Sequence, residues 1–174
     1  MYKRLRDGTQ ILVRRIRPDD KGLLARGLQQ LSELSVQRRF LSPKHSFTRA
    51  ELRYLTEVDG HDHVALVAES PTQPVRRLIG VGRFVRLRED PEAAEVAIVV
   101  ADVWQGRGVG SALARELAAR ARGLGIKRFT ATMAADNVAA QRLMEKLTAH
   151  LERRRGGSGV SELVLDLAAA RRAA

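Results

Sequence analysis

Glu95 stands directly before the apolar run Val96-Ala97-Ile98-Val99-Val100, and a few residues on comes Trp104-Gln105-Gly106-Arg107-Gly108-Val109-Gly110-Ser111. Each half suggests a chemistry. Strand alternation puts Glu95, Ala97 and Val99 on one face, and a carboxylate in apolar company holds its proton more tightly, which suits a general base. Glycines at alternate positions let a backbone approach a ligand closely, because no Cβ intervenes. Where such a loop follows a strand and opens a helix, its N–H groups converge on an anion and the helix N-terminus adds positive potential. Arg107 adds a charge within reach of a phosphate, and the whole would suit a pyrophosphate. Against these stand a plain glycine-rich turn and, for Glu95, a surface carboxylate at a hairpin end beside Glu89, Asp90 and Glu92.

Three phosphate loops compete. A Walker A loop needs Gly-x-x-x-x-Gly-Lys-Ser/Thr, and that lysine is missing. A dinucleotide fingerprint needs G-x-G-x-x-G after the first strand of a parallel unit, whereas the spacing here is G-x-G-x-G after half of an antiparallel hairpin. The third pattern, Gln/Arg-x-x-Gly-x-Gly/Ala, is met by Gln105, Gly108 and Gly110.

The elements that must position these residues follow from periodicity and punctuation. Gln10 to Arg17 reads as a strand. Pro18 and two acids then open a helix with Leu24, Leu28 and Leu31 at helical spacing. A second helix over "SVQRRFLSP" ends at Pro43, and a third is capped by Thr48 with Glu51 three residues on. "DHVALVAES", "RRLIGVGRFVRLRED" and "EAAEVAIVVAD" are strands, the last two joined across Asp90-Pro91. Gly110 to Gly123 is a helix with Leu113, Leu117 and Ala121 on one face. "IKRFTATM" is a strand, "DNVAAQRLMEKLTAH" a helix capped by Asp136 or Asn137, and "HLERRRGGSGVSELVLDL" a hairpin turning at Gly156 to Gly159. The expected fold is α/β: one mixed, mostly antiparallel sheet flanked by helices.

The 174 residues suit a single domain. With 44% hydrophobic and 29% charged residues the chain is globular rather than disordered. The absence of cysteine excludes disulfides, thiolate metal sites and a cysteine nucleophile. "MYKRLRDGTQ" has no apolar signal core, and no apolar run approaches the roughly 20 residues of a membrane span, so a cytoplasmic protein is expected. A net charge of +11 suggests an anionic partner such as nucleic acid, an acidic protein or a phosphorylated cofactor, or else a solvated cationic surface. Aromatics at 4% are too few for a base-stacking platform, which argues against nucleic acid. His61 and His63 form an H-x-H with no third ligand at useful spacing, so no metal is expected and His63 is read as packed. Arg153 to Arg155, Arg171 and Arg172 read as solvated.

The stretch "VVADVWQGRGVGSALARELAARA" resembles the acetyl-CoA-binding motif of the GNAT superfamily of N-acetyltransferases, and the order of elements matches that fold over nearly the whole chain. "RRFLSPK", "LTEVDGHDHVALVAE" and "AAEVAIVVADVWQGRGVG" are similar to the catalytic domain of bacterial protein-lysine acetyltransferases of the Pat type. The resemblance implies one GNAT domain over residues 1–174, with an acetyl-CoA-binding core at about 61–150. It implies transfer of an acetyl group from acetyl-CoA to an amine of a protein lysine. Gln105, Gly106, Arg107, Gly108, Val109, Gly110 and Ser111 would hold the pyrophosphate. Ile98, Val99 and Val100 would pair with the pantetheine arm, a backbone N–H at or near Val100 would hold the oxyanion, and Asn137 would bond the arm or cap its helix. Glu95 corresponds to the family's general base. Many relatives carry a tyrosine acid seven positions after the asparagine, where this chain has Met144. Rival readings are a small-amine acetyltransferase acting on a polyamine, amino acid or aminoglycoside, with Glu89, Asp90, Glu92 and Glu95 as an acidic pocket, a non-catalytic CoA sensor, and charge-driven nucleic-acid binding. A monomer or homodimer is expected.

Overall fold

The computed structural model describes residues 1–71, 77–155, 157 and 159–168. Eight strands form one sheet in the order β1-β2-β3-β4-β5-β6-β8-β7. They are β1 (Tyr2–Arg4), β2 (Gln10–Arg15), β3 (His63–Glu69), β4 (Leu78–Arg86), β5 (Ala93–Val100), β6 (Arg128–Ala134), β7 (Leu151–Arg155) and β8 (Val160–Asp166). Every pairing is antiparallel except β5 with β6. The helices are α1 (Lys21–Gln29), α2 (Glu33–Phe40), α3 (Arg49–Thr56), α4 (Val109–Gly123) and α5 (Val138–Glu145). The mixed α/β architecture read from the sequence is the one observed.

The sheet has two covered faces, set by the two-residue period of its strands. On one, Val64, Leu66, Phe84, Ala94 and Val96 pack against Leu113, Leu117 and Ala121 of α4 and Met144 of α5. On the other, Ala65, Val67 and Val81 meet Leu23 and Leu24 of α1, with Leu52 and Leu55 of α3 against them. Gly80 and Gly82 let α4 lie close: a Cβ at Gly80 would sit 3.0 Å from Leu113 Cδ1 and 3.1 Å from Val109 Cγ1.

Boundaries moved where local hydrogen bonds won over periodicity. β2 stops at Arg15 because the Asp20 carboxylate accepts from the Arg17 N–H (2.8 Å) and turns Pro18–Asp20 into a 3-10 segment. Asp20 is fully buried, where it pairs with Arg14 at 2.7 Å. α2 starts at Glu33 because the Ser32 side chain caps it, and it ends at Leu41 in the left-handed region (φ 56°), before Pro43. α3 carries the expected capping box of Thr48 and Glu51. β1 was not expected: three exposed or half-buried residues give no apolar alternation, and the strand is held by backbone pairing to β2 and by exchange of hydrogen bonds between Met1 and Val13. In the β7–β8 hairpin, Gly156 and Ser158 of the expected turn lie outside the described residues, as do Arg171 and Arg172.

Candidate active site

β5 is paired along its full length to β4, from Arg86↔Ala94 to Gly80↔Val100, but to β6 only at Ala93, Ala94 and Glu95. Beyond Glu95 the two strands part, and β6 continues against β8. The edge of β5 from Val96 to Val100 therefore faces a gap. Its polar groups can be assigned. Along a strand, successive residues aim N–H and C=O to opposite sides. The Ala101 N–H donates to Ile79 O at 3.0 Å, toward β4, whereas the Val100 carbonyl accepts from Gln105 Nε2 at 3.1 Å. So Ile98 and Val100 present their backbone groups to the gap, and Val99 presents its own to β4.

The glycine loop closes one end of that gap. Gly106 (φ +74°) and Gly108 (φ +101°) adopt the left-handed region that disfavours side chains. Gly110 serves differently: a Cβ there would meet Leu143 Cδ2 at 3.4 Å and Val100 Cγ2 at 3.6 Å, between α5 and β5. Gly108 is the N-cap of α4 and no side chain caps it. The first helical bond is Ala112 N–H to Gly108 O at 3.0 Å. The N–H groups of Val109, Gly110 and Ser111 are thus left without helical acceptors at the positive end of a helix of 15 residues.

A cleft of about 530 Å³ runs from this loop along β5. Of the residues singled out in the sequence, Ile98, Val99, Val100, Gln105, Gly106, Gly108, Gly110, Ser111 and Asn137 line it. Asn137 also caps α5, its Oδ1 accepting from the Ala140 N–H at 3.2 Å. Three residues stand elsewhere: Arg107, Val109 and Glu95. Arg107 turns away from the cleft to Asp7 (2.7 Å) and Thr9 (2.9 Å), with its guanidinium 4.3 Å from the Trp104 ring. The Thr9 N–H and Arg107 hold the Asp7 carboxyl down at about 2. The Val109 side chain is buried beneath Gly80, so its backbone alone belongs to the loop. The cations of the cleft come instead from residues not singled out: Lys3, Arg4 and Arg6 in and after β1, Arg38 and Arg39 of α2, Arg115 of α4, and Arg142 and Lys146 at α5. Helical spacing offered one signal: Arg115 lies four residues after Ser111, and Lys146 four after Arg142, each pair on one face. Arg4 and Arg6 had no such signal, because β1 itself was not legible.

Glu95 lies at the fork, the last residue of β5 to pair with β6, opposite Val85 and Thr130. Its side chain is exposed. The apolar enclosure expected from the neighbouring valines is not there, because those side chains alternate into the sheet's two faces while the hairpin end stays open. Its charged neighbour is Arg39 of α2, whose pKa burial pushes down while Glu95 opposes the shift. Behind it, Arg83 is buried beside Ala97. Arg83 donates to His63 Nε2 (3.1 Å) and to Leu55 O (3.3 Å). Burial, then repulsion from Arg39, hold Arg83 down at about 10. Burial and Arg83 likewise push His63 down to about 4, and Tyr54 lies against its ring at 4.8 Å. Since an arginine can only donate, His63 Nε2 carries no proton here. His61 sits on the exposed turn, 2.8 Å from Asp62. The acids read as a pocket for a cationic acceptor are engaged elsewhere: Asp90 with Arg128 (2.8 Å) and Glu92 with Lys127 (2.5 Å), while Glu89 is exposed.

One carboxylate ties the site together. Asp102 accepts from the Ser32 N–H (2.9 Å), Ser32 Oγ (2.9 Å), Ser35 Oγ (2.6 Å) and Gln105 Nε2 (3.2 Å). Partial burial pushes its carboxyl up, but the bonds from Ser35 and Ser32 outweigh this and hold it low.

A parted sheet edge, a glycine loop and an uncapped helix N-terminus meet in one cationic cleft, and the comparisons with known proteins agree with that construction. Residues 10–150 match the acetyltransferase (GNAT) domain family, and the chain belongs to it. It is 38% identical over 146 residues to acetyltransferase Pat of Mycolicibacterium smegmatis, covering 83% of this chain and 43% of that protein. It therefore spans less than half the length of that relative. It is 29% identical to acetyltransferase PA5475 of Pseudomonas aeruginosa, covering 80% of this chain and 74% of that one. The crystal structure of the GNAT domain of S. lividans PAT superposes with a TM-score of 0.85 at 32% identity, over 96% of both chains.

Proposed function

We propose that this protein transfers the acetyl group of acetyl-CoA to the side-chain amine of a protein lysine. The observation that carries the reading is the open edge of β5, Ile98 and Val100 facing the gap, beside the uncapped N-terminus of α4. The residues present fit the donor. The N–H groups of Val109, Gly110 and Ser111 suit a pyrophosphate, and the surrounding lysines and arginines suit further phosphate charge. The edge of β5 suits an amide-bearing arm laid along it as a strand would be. Acetyl-CoA supplies an activated acyl group; the chain supplies position and proton handling.

A lysine amine with a reference pKa near ~10.4 is almost wholly protonated at neutral pH, so a proton must be removed before attack. Glu95 at the fork is the base in this reading, directly or through one water. The Val100 N–H, aimed into the gap, donates to the carbonyl oxygen as it gains charge. The rest is placement of the amine against the acyl carbon. No hydroxyl stands at Met144, which is buried in the core. A simple thiol has a pKa of roughly 8.5 and leaves without a tyrosine acid. The ion-paired Asp90 and Glu92, with Arg39 and Arg83 behind Glu95, suit an acceptor that offers one amine, as lysine does, over a polycation. Such work is compatible with a cytoplasmic protein, and no helix of the described residues is long and apolar enough to cross a membrane.

Calorimetric titration with acetyl-CoA, paired with thiol release over lysine peptides and small amines, tests this. Binding with thiol release on peptides supports it. Release on small amines alone would reassign the acceptor, and no binding would overturn the reading of the cleft.

A further inference from the structure

Beyond the donor cleft lies a second, smaller cavity, between the sheet and helices α1 and α2, of about 60 Å³. The two share two lining residues, Arg39 and Val99. Val99 belongs to the part of β5 where the arm of the donor would end, so the second cavity adjoins the place where the acyl group would lie. The walls are apolar, with Leu24, Leu28 and Phe40 among them. Two arginines interrupt them, Arg39, which lines both cavities, and Arg83, which lines only the second. Among the described residues neither has a carboxylate at ion-pair distance: Arg83 bonds a histidine nitrogen and a backbone carbonyl, and Arg39 senses Glu95 only at longer range. Both are partly or fully buried, and they repel each other. Apolar walls beside two guanidiniums that lack an ion-paired carboxylate are the complement of a short methylene chain that ends in an anion.

We infer that this cavity is an acyl pocket, and that the protein takes acyl-CoA donors whose short chain ends in a carboxylate, with Arg39 and Arg83 as the specificity-determining residues. At about 10–15 Å³ per water-sized group, the space holds about four to six heavy atoms. A succinyl group exceeds an acetyl group by four: a methylene carbon, the carboxylate carbon and its two oxygens. The inference rests on the transfer reading of the cleft. The reaction balances as for acetyl transfer. The amine nitrogen bonds to the acyl carbon, the carbon–sulfur bond breaks, the amine proton passes to Glu95 and finally to the thiolate, and the products are free CoA thiol and an amide bearing the terminal carboxylate. On a lysine this replaces a positive charge by a negative one.

Binding separates this inference from the transfer reading, because it needs no acceptor. Titrate the full chain with acetyl-CoA, butyryl-CoA and succinyl-CoA, then measure thiol release from each on lysine peptides and on small amines with and without a carboxylate. Succinyl-CoA is expected to bind at least tenfold more tightly than acetyl-CoA, and that preference should fall at least tenfold in Arg39→Gln and persist in part in Arg39→Lys. Arg83→Met tests the inner guanidinium, and the partly exposed Arg39 keeps the test open if that buried variant fails to fold. Equal affinity for acetyl-CoA and succinyl-CoA overturns the inference. So does butyryl-CoA matching succinyl-CoA, which would make the pocket apolar in its selectivity. A carboxylate preference that appears only when varied on the acceptor amine would also overturn it, by moving the anion to the other substrate. Tight succinyl-CoA binding without release on any amine would uphold the pocket and refute the transferase.

Discussion

Glu95 and His63 sit on one sheet face and make opposite demands on experiment. Glu95→Gln removes the proposed base but no contact of the cleft, so kcat is expected to fall by about 10²–10⁴ while calorimetry gives an unchanged affinity for acetyl-CoA. Undiminished thiol release would end its role. His63 bears on stability instead. Its pKa is about 4 in the fold against 6.5 for the free side chain. Between these values the unfolded chain binds a proton that the folded chain refuses, so stability rises with pH across the window and is lost as pH falls from about 6.5 toward 4. His63→Gln keeps an acceptor for Arg83 without the titration. Urea midpoints for that variant should vary less over this window than for the parent; an equal slope would rule His63 out as the cause. At this scale the sequence was generous where the backbone acts and poor where long side chains do. The glycines, Gln105, Ser111 and Asn137 were legible because loop and cap chemistry is local. Arg107 was misplaced, since its partner Asp7 lies far off in the chain, and Arg83 within a strand gave no sign of being buried.

Among the elements, α4 and β4 decide whether the loop is held in place. Gly80 lies under the first turns of α4, and Gly80→Val would push into Leu113, Val109 and the Val99 carbonyl oxygen, 3.4 Å from a Cβ there. A loss of about 1–3 kcal/mol in urea unfolding is expected from overpacking, with weaker donor binding as Val109 is displaced. Gly123→Ala, at the far end of the same helix with nothing within 4 Å, is expected to gain about 0.4–1 kcal/mol. If both variants behave alike, close packing under α4 is not what Gly80 provides. Elements with a strong period or a cap were readable: α3 from Thr48 and Glu51, α4 from its leucines, β3 to β5 from their apolar runs. β1 was not, because a three-residue strand held by backbone pairing leaves no side-chain pattern. The parting of β5 from β6 is a fact of pairing, invisible until both strands are placed.

Across the whole molecule, the charge of +11 acquires a location. Lys3, Arg4, Arg6, Arg38, Arg39, Arg115, Arg142 and Lys146 come from four elements and their flanks to one cleft. Their field is screened over roughly 10 Å at 0.1 M salt. Acetyl-CoA affinity should therefore weaken several-fold from 50 to 500 mM salt, and less steeply in Arg115→Ala; an affinity indifferent to salt would show that these cations face solvent. Asp102 gives the same architecture a further meaning. It fastens the approach to the glycine loop onto the first turn of α2, the helix whose last turn brings Arg39 near Glu95. Donor and acceptor thus lean on a common strut, and any influence of one upon the other must be returned in equal measure. In the proposed reading the two affinities are coupled through one carboxylate and two serines, so in Asp102→Ala the affinity for acetyl-CoA should no longer depend on an acceptor peptide, and an unchanged dependence would exclude the strut.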